Sequence, residues 1–157
     1  MESCELIVGV DFTKSNTWTG KASFDGQCLH SLSAGMNPYE HAISAVARTL
    51  RDFDDDNLIP AFGFGDQSTG DQTVFHFNKG GEPCLGLEGV LQRYRELVGP
   101  DSGLVLSGPT SFAPLIRQAI HVVRSSGYRF HLLVIVADGA RARRCTLGTL
   151  QPRSAIM

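Results

Sequence analysis

Residues 5–15, Glu-Leu-Ile-Val-Gly-Val-Asp-Phe-Thr-Lys-Ser, constrain the fold more than any other stretch of the chain. Leu6, Ile7, Val8 and Val10 form a short apolar run rich in β-branched residues, with polar residues on both sides. That length and composition predict a strand buried on both faces rather than a helix. Asp11, Thr13 and Ser15 then occupy every second position. In an extended segment alternate side chains point the same way, so one carboxylate and two hydroxyls would converge while Phe12 and Lys14 face away. Three hard oxygen donors at the carboxyl end of a strand suit a small divalent cation. The plainer alternative is an Asp/Ser/Thr turn that caps the next element.

At 157 residues the chain fits one domain able to bury a core without disulfide staples. A formal charge of −2 gives no general reason to expect nucleic acid as a partner. The balance is uneven: all 16 acidic residues precede Ala140, whereas Arg141, Arg143, Arg144 and Arg153 follow it. Cys4, Cys28, Cys84 and Cys145 are widely spaced, a pattern of reduced thiols rather than of a disulfide framework or a zinc site. No secretory segment and no apolar run long enough to span a bilayer is apparent. The expected setting is cytoplasmic, extending to the nucleus or the plasma-membrane surface through partners.

Residues 16–37, rich in Gly, Ser, Thr and Asn, predict a long irregular loop. Asn37 and Pro38 are an N-cap and a first-turn proline for an amphipathic helix through residue 53, carried by Ala42, Ile43, Val46 and Leu50. Asp54, Asp55 and Asp56 lack the alternation and central glycine of an EF-hand loop and predict a solvated turn. Residues 58–64 and 74–77 predict two strands of a hairpin, with Asp66 in the polar turn between them. Residues 87–98 predict a helix. Residues 111–126 predict another, burying Leu115, Ile116, Ala119, Ile120 and Val123. Residues 130–137, the most hydrophobic run, predict a second fully buried strand ending in Asp138-Gly139. Alternating strands and helices make the class α/β with a largely parallel sheet.

Ligands of open α/β sheets collect beyond the carboxyl ends of the strands. Two strands here end in aspartate, Asp11 and Asp138, and Thr110 stands in the turn Ser107-Gly108-Pro109-Thr110-Ser111 before a helix. If the two long strands are neighbours, Asp11, Thr13, Ser15, Thr110 and Asp138 meet at one point. Without His or Cys, such a set fits magnesium, manganese or calcium better than zinc or copper. Taken singly, Thr110 also fits a helix N-cap and Asp138 an Asp-Gly turn.

This order of motifs resembles the metal-ion-dependent adhesion site of a von Willebrand factor A domain. Longer stretches resemble its copine subfamily: Gly9-Val10-Asp11-Phe12-Thr13-Lys14-Ser15-Asn16 with Trp18-Thr19-Gly20, then Asn37-Pro38-Tyr39-Glu40. Leu58-Ile59-Pro60-Ala61-Phe62-Gly63-Phe64-Gly65-Asp66 and Arg93-Tyr94-Arg95-Glu96 are similar to its later motifs. That subfamily includes calcium-dependent membrane-binding copines and plant RING-domain ubiquitin ligases with a copine-like domain.

The resemblance covers residues 1–139 and implies a doubly wound, mostly parallel sheet with helices on both faces. It implies that Thr13, Ser15 and Thr110 bind the cation, Mg2+ foremost and Ca2+ or Mn2+ otherwise. Asp11 and Asp138 would act through bound water, and a partner protein's carboxylate would take the last coordination place. The family pattern continues beyond Asp138-Gly139 with further strands, whereas residues 140–157 match nothing in it and read as a divergent, disordered basic tail. The last strands are therefore expected to be missing, and an unpaired apolar edge gives a route to self-association.

The function expected is partner recognition related to the ubiquitin-ligase branch, without catalysis by this chain alone, since no RING cysteine/histidine array is present. The alternatives are a copine-type calcium-dependent membrane-signalling adaptor, a fragment without function, and a magnesium-dependent phosphotransferase. The phosphotransferase of the haloacid-dehalogenase type needs a second carboxylate where Thr13 stands. Asp66 is expected as a turn residue, with a supporting role near the metal as the alternative. Trp18 is expected as a packing anchor, with a partner contact as the alternative.

Overall fold

The computed structural model describes residues 4–33, 35–54 and 56–139. The basic tail from residue 140 onward lies outside the described residues, as does Asp55. Strand β1 (Glu5–Asp11) is buried at every position. It lies between β3 (Ala61–Phe64) and β6 (His131–Val136), parallel to both, and β4 (Phe75–His76) pairs antiparallel with β3 to give the order β4-β3-β1-β6. The hairpin expected between residues 58 and 77 is present, but Pro60 divides its first strand. Pro60 has no N–H to donate to a ladder. The preceding β2 (Leu58–Ile59) instead pairs antiparallel with β5 (Cys84–Leu85) in a separate ribbon.

Side chains alternate across β1, and two core clusters result. Leu6, Val8, Val10 and Phe12 pack with Tyr39 and Ile43 of α2 (Pro38–Leu50) and with Val90 and Tyr94 of α3 (Gly86–Val98). Ile7 packs with Phe62, Phe64 and with Leu115 and Ala119 of α4 (Ala113–Ser125). The periodicity of each helix thus points its apolar stripe at one face of the sheet. Helix α2 begins as its sequence predicts, with Pro38 in the first turn and a capping box. The Asn37 side chain accepts from the Glu40 N–H at 2.9 Å, and the Glu40 carboxylate accepts from the Asn37 N–H at 2.7 Å.

Three expectations are corrected. Residues 16–37 are not one long loop, because α1 (Ser15–Ser23) opens that segment. It is polar and carries no apolar stripe; what holds it is tertiary. Gly20 lies against the backbone of Gln27 and Leu29, where a side chain would collide, and the buried Asn16 ties the helix start to the end of β1. Second, β6 is only half-buried, with Leu132 38% exposed, because among the described residues it is a sheet edge paired with β1 alone. Third, Ile116 and Ile120 of α4 are exposed. The helix meets the sheet through Leu115 and Ala119, and the neighbouring isoleucines fall outside that contact. No helix among the described residues is long and apolar enough to cross a membrane.

The close approach of α4 to β1 requires Gly9, since a Cβ there would collide with the fully buried Leu115 side chain. Gly9→Ala is expected to lower stability by about 1–3 kcal/mol through overpacking. Urea unfolding checks this as a lower midpoint at unchanged slope.

Candidate functional site

The carboxyl end of β1 is where the chain turns into α1, and the loop of residues 104–110 closes over it. Lys14 N–H donates to the Ser107 carbonyl at 2.6 Å, and Ser107 N–H donates to Gly65 O at 3.2 Å. Thr13 bridges Ser107 in parallel, while Asp66 bridges Leu106 in antiparallel fashion. These bonds stitch the loop between the ends of β1 and β3 and deliver Thr110 to Thr13. The Gly108–Pro109 peptide within the loop is cis.

Four of the five sequence-predicted donors are linked by local contacts, and the fifth lies within electrostatic reach. The Thr13 hydroxyl is 2.8 Å from the Ser15 hydroxyl, and Thr110 donates to it at 3.3 Å. Asp11 is fully buried, and its Oδ1 accepts from the Thr13 N–H at 2.7 Å. Asp138 sits just past β6 and accepts from the Thr19 hydroxyl at 3.0 Å. The convergence does not come from a continuous extended strand, as the alternation implied. Ser15 is already the first residue of α1, and the turn at Lys14 brings its hydroxyl back to Thr13.

The plainer roles divide. Thr110 is not a helix cap: α4 begins three residues later with Phe112 at its N-cap position. Asp66 is the turn residue expected. Its carboxylate accepts from the Ser68 N–H at 3.1 Å, the Ser68 hydroxyl at 2.6 Å and the Thr69 hydroxyl. Trp18 is no packing anchor, being 60% exposed. It stands with Thr13, Lys14, Ser15, Val105 and Thr110 around an open cleft of about 550 Å3. A smaller cavity of about 230 Å3, lined by Arg48, Arg51 and Asn57 among others, includes none of the five donors.

The electrostatics of Asp11 are unusual. Burial pushes its carboxyl above the ordinary carboxylate range; hydrogen bonds from Thr13 pull it back, and the charge of Asp138 raises it again. Its Oδ2 is buried without a hydrogen-bond partner among the described residues. A buried charged oxygen without a partner is costly. A cation beside it would supply the missing partner, and hydroxyl and carboxylate oxygens are the donors magnesium and calcium take. By this test the residues present fit such an ion. Among the described residues no group of three or more His, Cys, Asp or Glu side chains that could hold a metal ion is gathered.

Two contributors escaped the sequence reading. Thr19 lies four residues after Ser15, one helical turn along the same face. That relation is visible only once the segment is read as a helix. His30 lies beneath the site, with Nε2 2.9 Å from the Asp11 carbonyl and Nδ1 2.7 Å from the Tyr94 hydroxyl. Nothing in the sequence around it marks this role.

The site is thus a cradle of carboxylates and hydroxyls at the carboxyl end of the parallel strands of a mostly parallel sheet, in an α/β domain with helices flanking β1. The copine family model matches residues 28–154, and the chain belongs to the copine family; the match runs past Gly139, which corrects the expectation that residues 140–157 match nothing in it. E3 ubiquitin-protein ligase RGLG1 of Arabidopsis thaliana is 57% identical over 143 residues, covering 91% of this chain and 29% of the ligase. E3 ubiquitin-protein ligase RGLG4 of the same plant is 54% identical over 143 residues, covering 91% of this chain and 35% of the ligase. Copine family protein 2 of Caenorhabditis elegans is 42% identical over 143 residues, covering 88% of this chain and 2% of the relative. The chain therefore spans about a third of the ligases it matches.

Burial lowers the His30 imidazole from 6.5 to about 4. Its folded value lies below its unfolded one, so folding favours the neutral ring. That contribution is complete above pH 6.5 and lost as pH falls toward 4. His30→Gln, neutral throughout, isolates it. In chelator, the stability gap between wild type and variant should shrink by about 3 kcal/mol from pH 7 to pH 4, measured by urea unfolding at both values.

Proposed function

We propose that this chain is a protein-recognition domain that binds its partner through a divalent cation held at the carboxyl end of β1. The observation that carries the reading is the buried Asp11 Oδ2, without a hydrogen-bond partner among the described residues, beside the linked hydroxyls of Thr13, Ser15 and Thr110. In this reading the three hydroxyls hold the ion, Mg2+ foremost, while Asp11 and Asp138 balance its charge through bound water. The cation supplies an electrophilic point to which a partner's carboxylate coordinates. Helices α2 and α3 against one face of β1 and α4 against the other support the doubly wound von Willebrand A arrangement as part of the same proposal. The names of the plant relatives, E3 ubiquitin-protein ligases, support a place in ubiquitination as the partner-binding portion.

Thermal melts of the purified chain in chelator and in millimolar Mg2+ or Ca2+ test the site directly. At ~100 times its dissociation constant an ion adds ~2.7 kcal/mol. The midpoint should rise by roughly 5–10 °C, and the rise should vanish in Asp11→Ala. A cooperative melt that does not move with either ion overturns the proposal.

A further inference from the structure

Below the cradle lies a layer of buried polar side chains that reaches the backbone carbonyls of Asp11 and Thr13. The Asn37 amide donates to the Tyr94 phenol oxygen at 3.1 Å. The phenol proton has a distant acceptor in Asn37 Oδ1 at 3.4 Å and a closer one in His30 Nδ1 at 2.7 Å, which is left to accept because Nε2 faces a carbonyl oxygen. With Nδ1 accepting, the ring carries its proton on Nε2 and donates it to the Asp11 carbonyl at 2.9 Å. Separately, the Tyr39 hydroxyl donates to Asn16 Oδ1 at 2.6 Å. The Asn16 amide donates to the Thr13 carbonyl at 2.9 Å and more weakly to the Asp11 carbonyl at 3.3 Å. Every member is buried; Tyr39 stacks on His30 and on Tyr94, those two rings meet tilted, and each of them stacks on Phe12.

We infer that Asn16, His30, Tyr39 and Tyr94 are positioning residues for the cation cradle, in two arms that fix the backbone carbonyls of Asp11 and Thr13. The inference rests on the cation-site reading above. A carbonyl held from beneath fixes the peptide planes on either side of it, and with them the directions of the Asp11 carboxylate and the Thr13 hydroxyl. Each arm ends on a tyrosine of a different helix: Tyr39 on α2, Tyr94 on α3. The α2–α3 layer therefore sets the geometry of a loop that its side chains reach only through Asn16 and His30. Groups that orient ligands without touching the ion commonly change metal affinity by 10–100-fold when removed.

The test uses Mn2+ as the ion, its free fraction read by electron paramagnetic resonance on the full chain. Tyr39→Phe and Tyr94→Phe each delete one hydroxyl and keep the ring. Both are expected to weaken Mn2+ binding by about tenfold or more while retaining a cooperative melt in chelator. The exposed Tyr128→Phe should bind as wild type does. Nitrogen-15 shifts of His30 in the unsubstituted protein should show Nε2–H and a bare Nδ1. An Nδ1–H tautomer overturns the His30 arm without any substitution. Wild-type affinity in both variants, with binding still lost in Asp11→Ala, overturns the positioning role alone. No Mn2+ binding by the wild type, or full binding by Asp11→Ala, overturns the cation reading and this inference with it.

Discussion

A carboxylate at the end of the central strand has been taken out of water, and the surrounding structure is arranged around that cost. Asp11 is fully buried, yet only Oδ1 has a protein donor among the described residues. An ionised group in that position would ordinarily neutralise itself or find a counter-charge. The neighbourhood supplies neither Lys nor Arg within the donor set. It supplies hydroxyls, and a second carboxylate whose charge makes matters worse for Asp11. Hydroxyls can donate to an anion or turn their lone pairs toward a cation, and the unpartnered Oδ2 is what the proposed cation would satisfy.

The location follows from topology. In a parallel sheet the loops after adjacent strands emerge on the same side, and β1, β3 and β6 are adjacent and parallel. Asp11 and Asp138 follow β1 and β6 directly, whereas Thr110 belongs to a long connection and needs the stitching of Ser107 to Lys14 and Gly65 to arrive. Gly65 makes that approach feasible: its φ of +83° is open to glycine, and a side chain there would collide with Thr13. Specific backbone contacts, rather than any bias of the loop itself, thus carry one of the hydroxyls into place.

The fold was legible where pattern and punctuation agreed. Apolar runs marked β1 and β6, Asn37-Pro38 marked the start of α2, and the polar turn around Asp66 marked the β3–β4 hairpin. Legibility failed where tertiary contact overrides local preference. Helix α1 carries Thr17, Thr19, Gly20 and Ser23 and no apolar stripe, so periodicity cannot announce it; Asn16 and the packing of Gly20 impose it. The run in β6 predicts a doubly buried strand because composition reports what a strand is able to bury, not which elements lie beside it. The same confusion placed Ile116 and Ile120 inside. Of the proposed site, the grouping of Asp11, Thr13, Ser15, Thr110 and Asp138 was legible by type and spacing. The support beneath them was not, because His30, Tyr39 and Tyr94 come from three separate segments and meet only in the folded state.

The choice of oxygen donors bears on how the proposed site would recognise a partner. Direct carboxylate ligation would neutralise most of a divalent charge and leave little attraction for another anion. Neutral hydroxyls as the groups holding the ion, with Asp11 and Asp138 acting through water as proposed, would leave it electrophilic. At an exposed cleft that residual charge is screened by solvent and salt, so affinity for a lone carboxylate would be modest. Contact area must then supply the remainder, and the cleft offers it in Trp18 and Val105, both largely exposed beside Thr13 and Thr110. An exposed tryptophan beside a charged centre combines a large apolar contact with a fixed electrostatic anchor, the pairing from which interface hot spots are commonly built. The buried layer beneath complements this economy, since a weak ligand set holds an ion only if its geometry is fixed before the ion arrives.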